Sequence, residues 1–181
     1  MLVIYQSETG YAERYARWAA ARMNVDCFSV SDASWRKGEE AVFFGSVRAD
    51  KIRGLKKARR RFRIQATVAV GICPYSEGLC ERLKKANGYD GILFAVQGGV
   101  DRNKLGWMQR RLLDAVSASL KSRGDEDLAQ IVREGGDLSS ENQLLNFMVW
   151  WQAWSIQHGA APTPKEKKTS ASVRNHGAEE T

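Results

Sequence analysis

The residues with the clearest chemical potential form one short run, Gln6-Ser7-Glu8-Thr9-Gly10-Tyr11-Ala12-Glu13. It falls between an apolar stretch, Leu2-Val3-Ile4-Tyr5, and a segment of helical periodicity. Hydroxyls at Ser7 and Thr9 can donate to phosphate oxygens, and Gly10 lets backbone come close. A helix starting there presents unpaired N–H groups at the positive end of its dipole, so a monophosphate can be held without a lysine. The same residue types also make an ordinary N-cap with a turn glycine, and the run alone leaves both readings open. Neither GxGxxG nor GxxxxGK[ST] is present, which argues against resident NAD and against ATP.

Other chemistries find few residues. The chain has two histidines, His158 and His176, both near or within its polar end, so no Ser-His-Asp relay and no histidine metal site is expected. Cys27, Cys73 and Cys80 form neither a CxxC pair nor a spaced quartet and read as free thiols of a reducing compartment. Cys73, at a strand end before Pro74, is where a reactive thiol could sit, although no histidine partner is indicated.

The elements that must position the loop follow from periodicity. Apolar runs at Leu2–Tyr5, Val25–Val30, Ala41–Phe44, Ala66–Ile72 and Ile92–Val96 alternate with amphipathic segments. The first helix, about 10–23, places Tyr11, Tyr15, Trp18, Ala19 and Met23 on one face; a basic helix covers about 50–62. A third follows Cys73 with Leu79 and Leu83 inward, and a fourth carries Leu105, Met108, Leu112, Val116 and Leu120. This order predicts an α/β fold, a doubly wound five-stranded parallel sheet with helices on both faces. Its ligand belongs beyond the carboxyl ends of the strands. That domain is expected to span 1–123, followed by a helical extension over 124–157 packed on it. The tail from 158 to 181 lacks apolar periodicity and is expected to be disordered.

With 43% hydrophobic and 27% charged residues in 181, the composition is that of a globular protein. The Leu144–Ile156 stretch is too short to span a bilayer and no leader is apparent, which sets a cytoplasmic location as the expectation. The net charge of +7 is concentrated between Lys51 and Arg63. Such a run is ordinarily a solvated face; an acidic partner or an anionic membrane is equally compatible, while nucleic acid would call for a reading module or stacking aromatics that are not evident. In the last helix Leu144, Phe147, Met148, Trp151 and Trp154 form a stripe that packs on the domain or a second subunit, or else offers a partner or membrane-interface surface.

Ser7-Glu8-Thr9-Gly10 followed by Glu13 resembles the phosphate loop of flavodoxins. Gly45-Ser46-Val47-Arg48 resembles the flavin-side loop of the flavodoxin-domain group that includes menaquinone-dependent protoporphyrinogen oxidase. Phe94 to Gly99, then Leu105 to Arg111, is similar in layout to that group's last strand, loop and helix. The resemblance covers about residues 1–123. It implies a flavodoxin-like fold holding FMN, with Ser7, Glu8, Thr9, Gly10 and Tyr11 at the phosphate. Ser46, Val47 and Arg48 on one side, and Pro74, Tyr75 and Ser76 on the other, would frame the ring. Tyr75 is then a stacking candidate, although it serves equally as the start of the next helix. Arg48 would add positive charge near the ring. The Gln97–Asn103 loop would border the substrate side, where Arg102 and Lys104 either attract an acidic substrate or stand solvated. Ala12 stands where flavodoxins generally have another hydroxyl, Gln6 where glycine is frequent, and Glu8 must point away from a dianion.

The function so implied is FMN-dependent electron transfer or a small oxidoreductase activity, with a redox protein or quinone-type acceptor. Residues 144–157 could add peripheral membrane contact, and a homodimer is compatible. The alternative is a flavin-free module of the same fold that binds a protein, nucleic acid or membrane through its basic and Trp-rich helices.

Overall fold

Alternation along the strands sets the layering. In β1 (Leu2–Gln6), Leu2 and Ile4 point to one side and Val3 to the other; in β3 (Glu40–Arg48), Ala41 and Phe43 oppose Val42 and Phe44. All are fully buried, so both faces of the sheet must be covered. The computed structural model describes residues 1–159; His176 and the expected tail from 160 onward lie outside the described residues.

Five strands run parallel in the order β2 (Cys27–Ser29), β1, β3, β5 (Arg63–Gly71), β6 (Ile92–Gln97). Counting parallel strands alone, the order is 2-1-3-4-5, that of flavodoxin-like doubly wound sheets, with the switch point between β1 and β3. A short sixth strand, β4 (Lys51–Ile52), folds back antiparallel on the end of β3, pairing Arg48 with Lys51 and Val47 with Ile52. Ala49 and Asp50 form the two-residue connection, both at positive φ (47° and 59°), which matches the twist of a tight hairpin.

Helices α2 (Leu55–Arg61) and α3 (Glu77–Asn87) cover one face through Leu55, Ala58, Leu79 and Leu83. The other face takes α1 (Tyr11–Met23) and the last helix, α6 (Leu145–Gln157). Phe147 of α6 is fully buried, edge-on to Phe44 at 5.6 Å and to Phe94 at 5.7 Å, and Leu144, Trp151 and Trp154 complete the contact. Trp154 also stacks on His158 at 4.1 Å. Leu145, Val149 and Ile156 remain outside.

Between β6 and α6 the chain makes an excursion. Strand β7 (Gly99–Val100) pairs antiparallel with β8 (Gly136–Asp137), and between them α4 (Trp107–Ser122) packs on α5 (Glu126–Glu134). The buried Ser117 hydroxyl donates to the Ala129 carbonyl at 2.7 Å across this hairpin. The α4 face expected to cover the sheet is instead largely open: Met108, Leu112 and Val116 are 66, 52 and 39% exposed. Aromatic side chains of α6 cover one face with α1, whereas Leu112 and Val116 of α4 border a cavity shared with Leu79 and Ala95 of the other face. Among the described residues no helix is long and apolar enough to cross a membrane.

Candidate functional site

At the switch point the β1–α1 loop turns over the end of the sheet. The Ser7 hydroxyl accepts the Gly10 N–H at 3.0 Å, which fixes the loop from within. Gly10 sits at the N-cap with φ 96°, a conformation that a side chain would strain. As at any helix start, the first-turn N–H groups of α1, next to Thr9 in the chain, have no intrahelical acceptor.

Charges around the loop are matched one by one. Glu8 is paired with Arg53 at 2.9 Å. Arg17 donates twice to Glu13, at 2.9 and 2.7 Å, and holds its carboxyl below the usual carboxylate value. Lys104 reaches over from the short helix Arg102–Lys104, with Nζ donating to the Thr9 carbonyl at 3.4 Å and paired with Asp101 at 3.1 Å. That ammonium holds the Asp101 carboxyl low. Were Gly10 to carry a Cβ, Lys104 Nζ would lie 3.8 Å from it, so the cation stands at the mouth of the loop.

Next to the loop a cleft of about 120 Å³ opens along the strand ends. Thr9, Tyr11 and Ser46 border it at one end, Val47, Val70 and Gly71 along the sheet, and Leu105, Leu112 and Leu113 opposite. Gly98 and Gly99 form its far wall beneath the Tyr11 ring. A Cβ on Gly99 would meet the Gly136 carbonyl at 2.4 Å and the Tyr11 ring at 2.6 Å, so only glycine lets the two chains and the ring stack here. The Ser46 hydroxyl is buried beside this cleft and has no hydrogen-bond partner among the described residues, an arrangement that ordinarily costs about 1–3 kcal/mol unless something supplies one. A second cavity of about 250 Å³ adjoins the first across Val47, Arg48, Leu112 and Leu113 and continues to Cys73, Leu79 and Val116. The first alone is smaller than the roughly 300 Å³ at which small-molecule sites begin; joined across Leu112 and Leu113 the two fall within range.

The base of this wall is clamped. Tyr15, fully buried, donates to the Gln97 carbonyl at 2.7 Å and accepts the Ser140 N–H at 3.0 Å, and burial pushes its phenol up. Gln143 accepts the Gln97 N–H at 2.6 Å and donates to the Leu138 carbonyl.

No family profile matches this chain, and no curated protein does. Among solved structures it is similar to a flavodoxin from the domain Archaea, at 15% identity over 74% of this chain and 98% of that one, with a TM-score of 0.33.

Of the residues singled out from sequence, Glu8, Thr9, Tyr11, Ser46, Val47 and Arg48 meet at the cleft, with Ser7 and Gly10 shaping the loop behind them. Pro74, Tyr75 and Ser76 are not brought to it. Tyr75 is 56% exposed, and Ser76 caps α3 by accepting the Leu79 N–H at 3.1 Å. Cys73 is exposed at the edge of the second cavity, whereas burial pushes the Cys27 thiol up to about 11 and leaves it unreactive at neutral pH. Sequence reasoning missed Val70, Gly71, Leu112 and Leu113. The first two carried a signal, since they end a strand beside the switch point.

Proposed function

We propose that this protein binds FMN at the β1–β3 switch point and uses it for electron transfer or as a small oxidoreductase. The observation that carries this reading is the Ser46 hydroxyl, buried without a partner at the wall of an apolar cleft whose one end is the Thr9–Gly10 loop. The phosphate would be met by the N–H groups of the α1 start, the Thr9 hydroxyl and the Lys104 ammonium. Ser46 would give the ring or its side chain a hydrogen bond, Val47 and Val70 would exclude water, and Arg48 would contribute positive charge at the rim. Bound flavin supplies the one- and two-electron chemistry; the protein's part is to seat and shield it. Leu112 and Leu113 must draw back for the ring to lie between the two cavities.

Kinship with the menaquinone-dependent protoporphyrinogen oxidase group, a quinone-type acceptor and a cytoplasmic location belong to the same proposal. The acceptor has the support of an apolar rim at Leu105, Leu112 and Val116, beside Trp107 and Met108. Titration of purified protein with FMN tests the reading. One equivalent should quench flavin fluorescence and raise the melting temperature, with ligand at a hundred times Kd adding about 2.7 kcal/mol of stability. A colourless protein whose melting temperature ignores FMN would sink it.

A second reading has its own observation: Ser7 already satisfies the Gly10 N–H, and Leu112 and Leu113 already occupy the space between the cavities. Those features favour a flavin-free module of the same fold, for which the same titration gives the opposite result.

A further inference from the structure

Between Lys51 and Arg63 the chain places eight lysines and arginines and no aspartate or glutamate. Helix α2 turns Leu55 and Ala58 inward, with Phe62 just beyond it, so its cations share the outward face. Two other exposed helices each match a cation one turn away: Glu13 with Arg17 at 2.7 Å on α1, and Glu81 with Lys84 at 3.5 Å on α3. On α2 the i,i+4 pairs are Lys56 with Arg60 and Lys57 with Arg61, which repel and weaken a helix only seven residues long. A face that merely needed solvating would not accumulate this repulsion.

The charges are also held in place. Lys51 donates to the Ala86 carbonyl, Arg61 to the Val30 carbonyl at 3.2 Å, and Arg59 to the Gly88 carbonyl at 2.8 Å while lying over the Tyr89 ring. Lys56 and Arg60 between them have no partner among the described residues. The patch runs up to the cleft rim, where Lys51 is laddered to Arg48 and Arg53 is paired with Glu8 of the phosphate loop.

We infer that the β4–α2 surface docks the acidic face of a one-electron carrier protein, bringing the carrier's redox centre to the rim of the cleft. Docking stands on the surface alone; that an electron then passes from the carrier's reduced centre to bound flavin, oxidising the one and reducing the other, rests on the function proposed above. A membrane fits less well, because Ile52, Leu55 and Phe62 are each at most 4% exposed and leave no apolar group to insert. A nucleic-acid strand fits less well too. Asp50, Glu81 and Asp90 border the patch and would repel a continuous phosphate backbone, while giving a protein partner its register, and Tyr89 is buried where a base would need it for stacking.

Calorimetry of the full-length protein against an acidic [2Fe–2S] ferredoxin tests the inference. At 50 mM NaCl the two should bind, and affinity should fall at least tenfold at 300 mM and at least tenfold in the double variant Lys56→Glu/Arg60→Glu. The neutral pair Lys56→Gln/Arg60→Gln should lie between, and with the salt series it gives the same answer if the charge-reversed protein does not fold. No ferredoxin binding at low salt, or equal binding by a folded charge-reversed variant, overturns the proposal. So does tighter binding of duplex DNA or of phosphatidylglycerol vesicles in the same buffer. An FMN titration of the same sample separates the two ideas: docking without FMN binding removes the flavin reading and keeps the surface, and FMN binding without docking does the reverse.

Discussion

The ammonium of Lys104 stands 3.4 Å from the carbonyl oxygen of Thr9, across 95 positions of chain, and so ties the loop after β6 to the loop after β1. Any phosphate placed at the α1 start meets this cation. Replacing Lys104 with Met should weaken FMN by about 1 kcal/mol, roughly fivefold, as expected for a half-exposed charge pair. Riboflavin, which lacks the phosphate, should bind both proteins alike. Equal losses for both ligands in fluorescence titrations would show that Lys104 acts on the shape of the cleft instead.

Ser46 sets a conflict between stability and binding. Its buried hydroxyl has no partner, so Ser46→Ala should leave the protein without ligand as stable or more stable, by up to about 1 kcal/mol in urea. The same variant should gain less in melting temperature from saturating FMN. A variant that loses stability without ligand and keeps its full gain from FMN contradicts this assignment.

Ala49 carries backbone strain at the rim. An L-residue at φ 47° costs about 1–2 kcal/mol, part of which glycine returns as lost chain entropy. Ala49→Gly should therefore stabilise the protein by about 0.5–1 kcal/mol, measured by urea unfolding. The hairpin it relaxes also aims Arg48, so any flavin affinity should fall or stay level as stability rises.

Asp137 links the cleft to acid stability. Burial alone would raise its carboxyl, but hydrogen bonds from Ser139 and from Arg14 outweigh that and hold it below the usual value. A carboxyl lowered on folding stabilises above its unfolded pKa, about 3.9, and that contribution disappears as pH falls through the folded value. Because both partners of the ion pair are about half exposed, the contribution is under about 1 kcal/mol. Asp137→Asn should cost up to that at pH 7 and progressively less as pH falls through the folded value, so the two urea curves should converge in acid.

Phe147 is the keystone of the α1–α6 face. Truncation to Ala should cost about 3–5 kcal/mol, a large share of the roughly 5–15 kcal/mol that holds a domain folded. A loss under 1 kcal/mol would mean that α6 sits on the sheet without contributing to its core.

Much of this architecture is legible in the sequence because parallel strands buried on both faces must be apolar throughout, and Val42-Phe43-Phe44 and Val68-Ala69-Val70 advertise it. The tight β1–α1 turn is legible for a similarly local reason, a hydroxyl-glycine run between strand and helix. Strand β4 is not. Lys51 and Ile52 merge into the basic helix signal, and the turn before them uses Ala49 where Gly or Asn would have announced it. Nor does periodicity reveal how closely a helix packs: Leu112 and Val116 carry the pattern of core residues yet are 52 and 39% exposed, while Phe147 is fully buried. Tyr75 shows the same limit, since an aromatic side chain four residues past a strand end is aimed by its loop, and here Ser76 caps the next helix while Tyr75 stays exposed.

The clamp made by Tyr15, Gln97, Ser140 and Gln143 has an evolutionary corollary. It brings the two ends of the α4–α5 excursion together at Gly98 and Leu138, whose backbones share a hydrogen bond of 2.8 Å. A stretch whose entry and exit touch can lengthen, shorten or change its surface chemistry while the remainder stays folded. One wall of the cleft can thus be remodelled through one replaceable hairpin, with the sheet and its β1–α1 loop left unchanged.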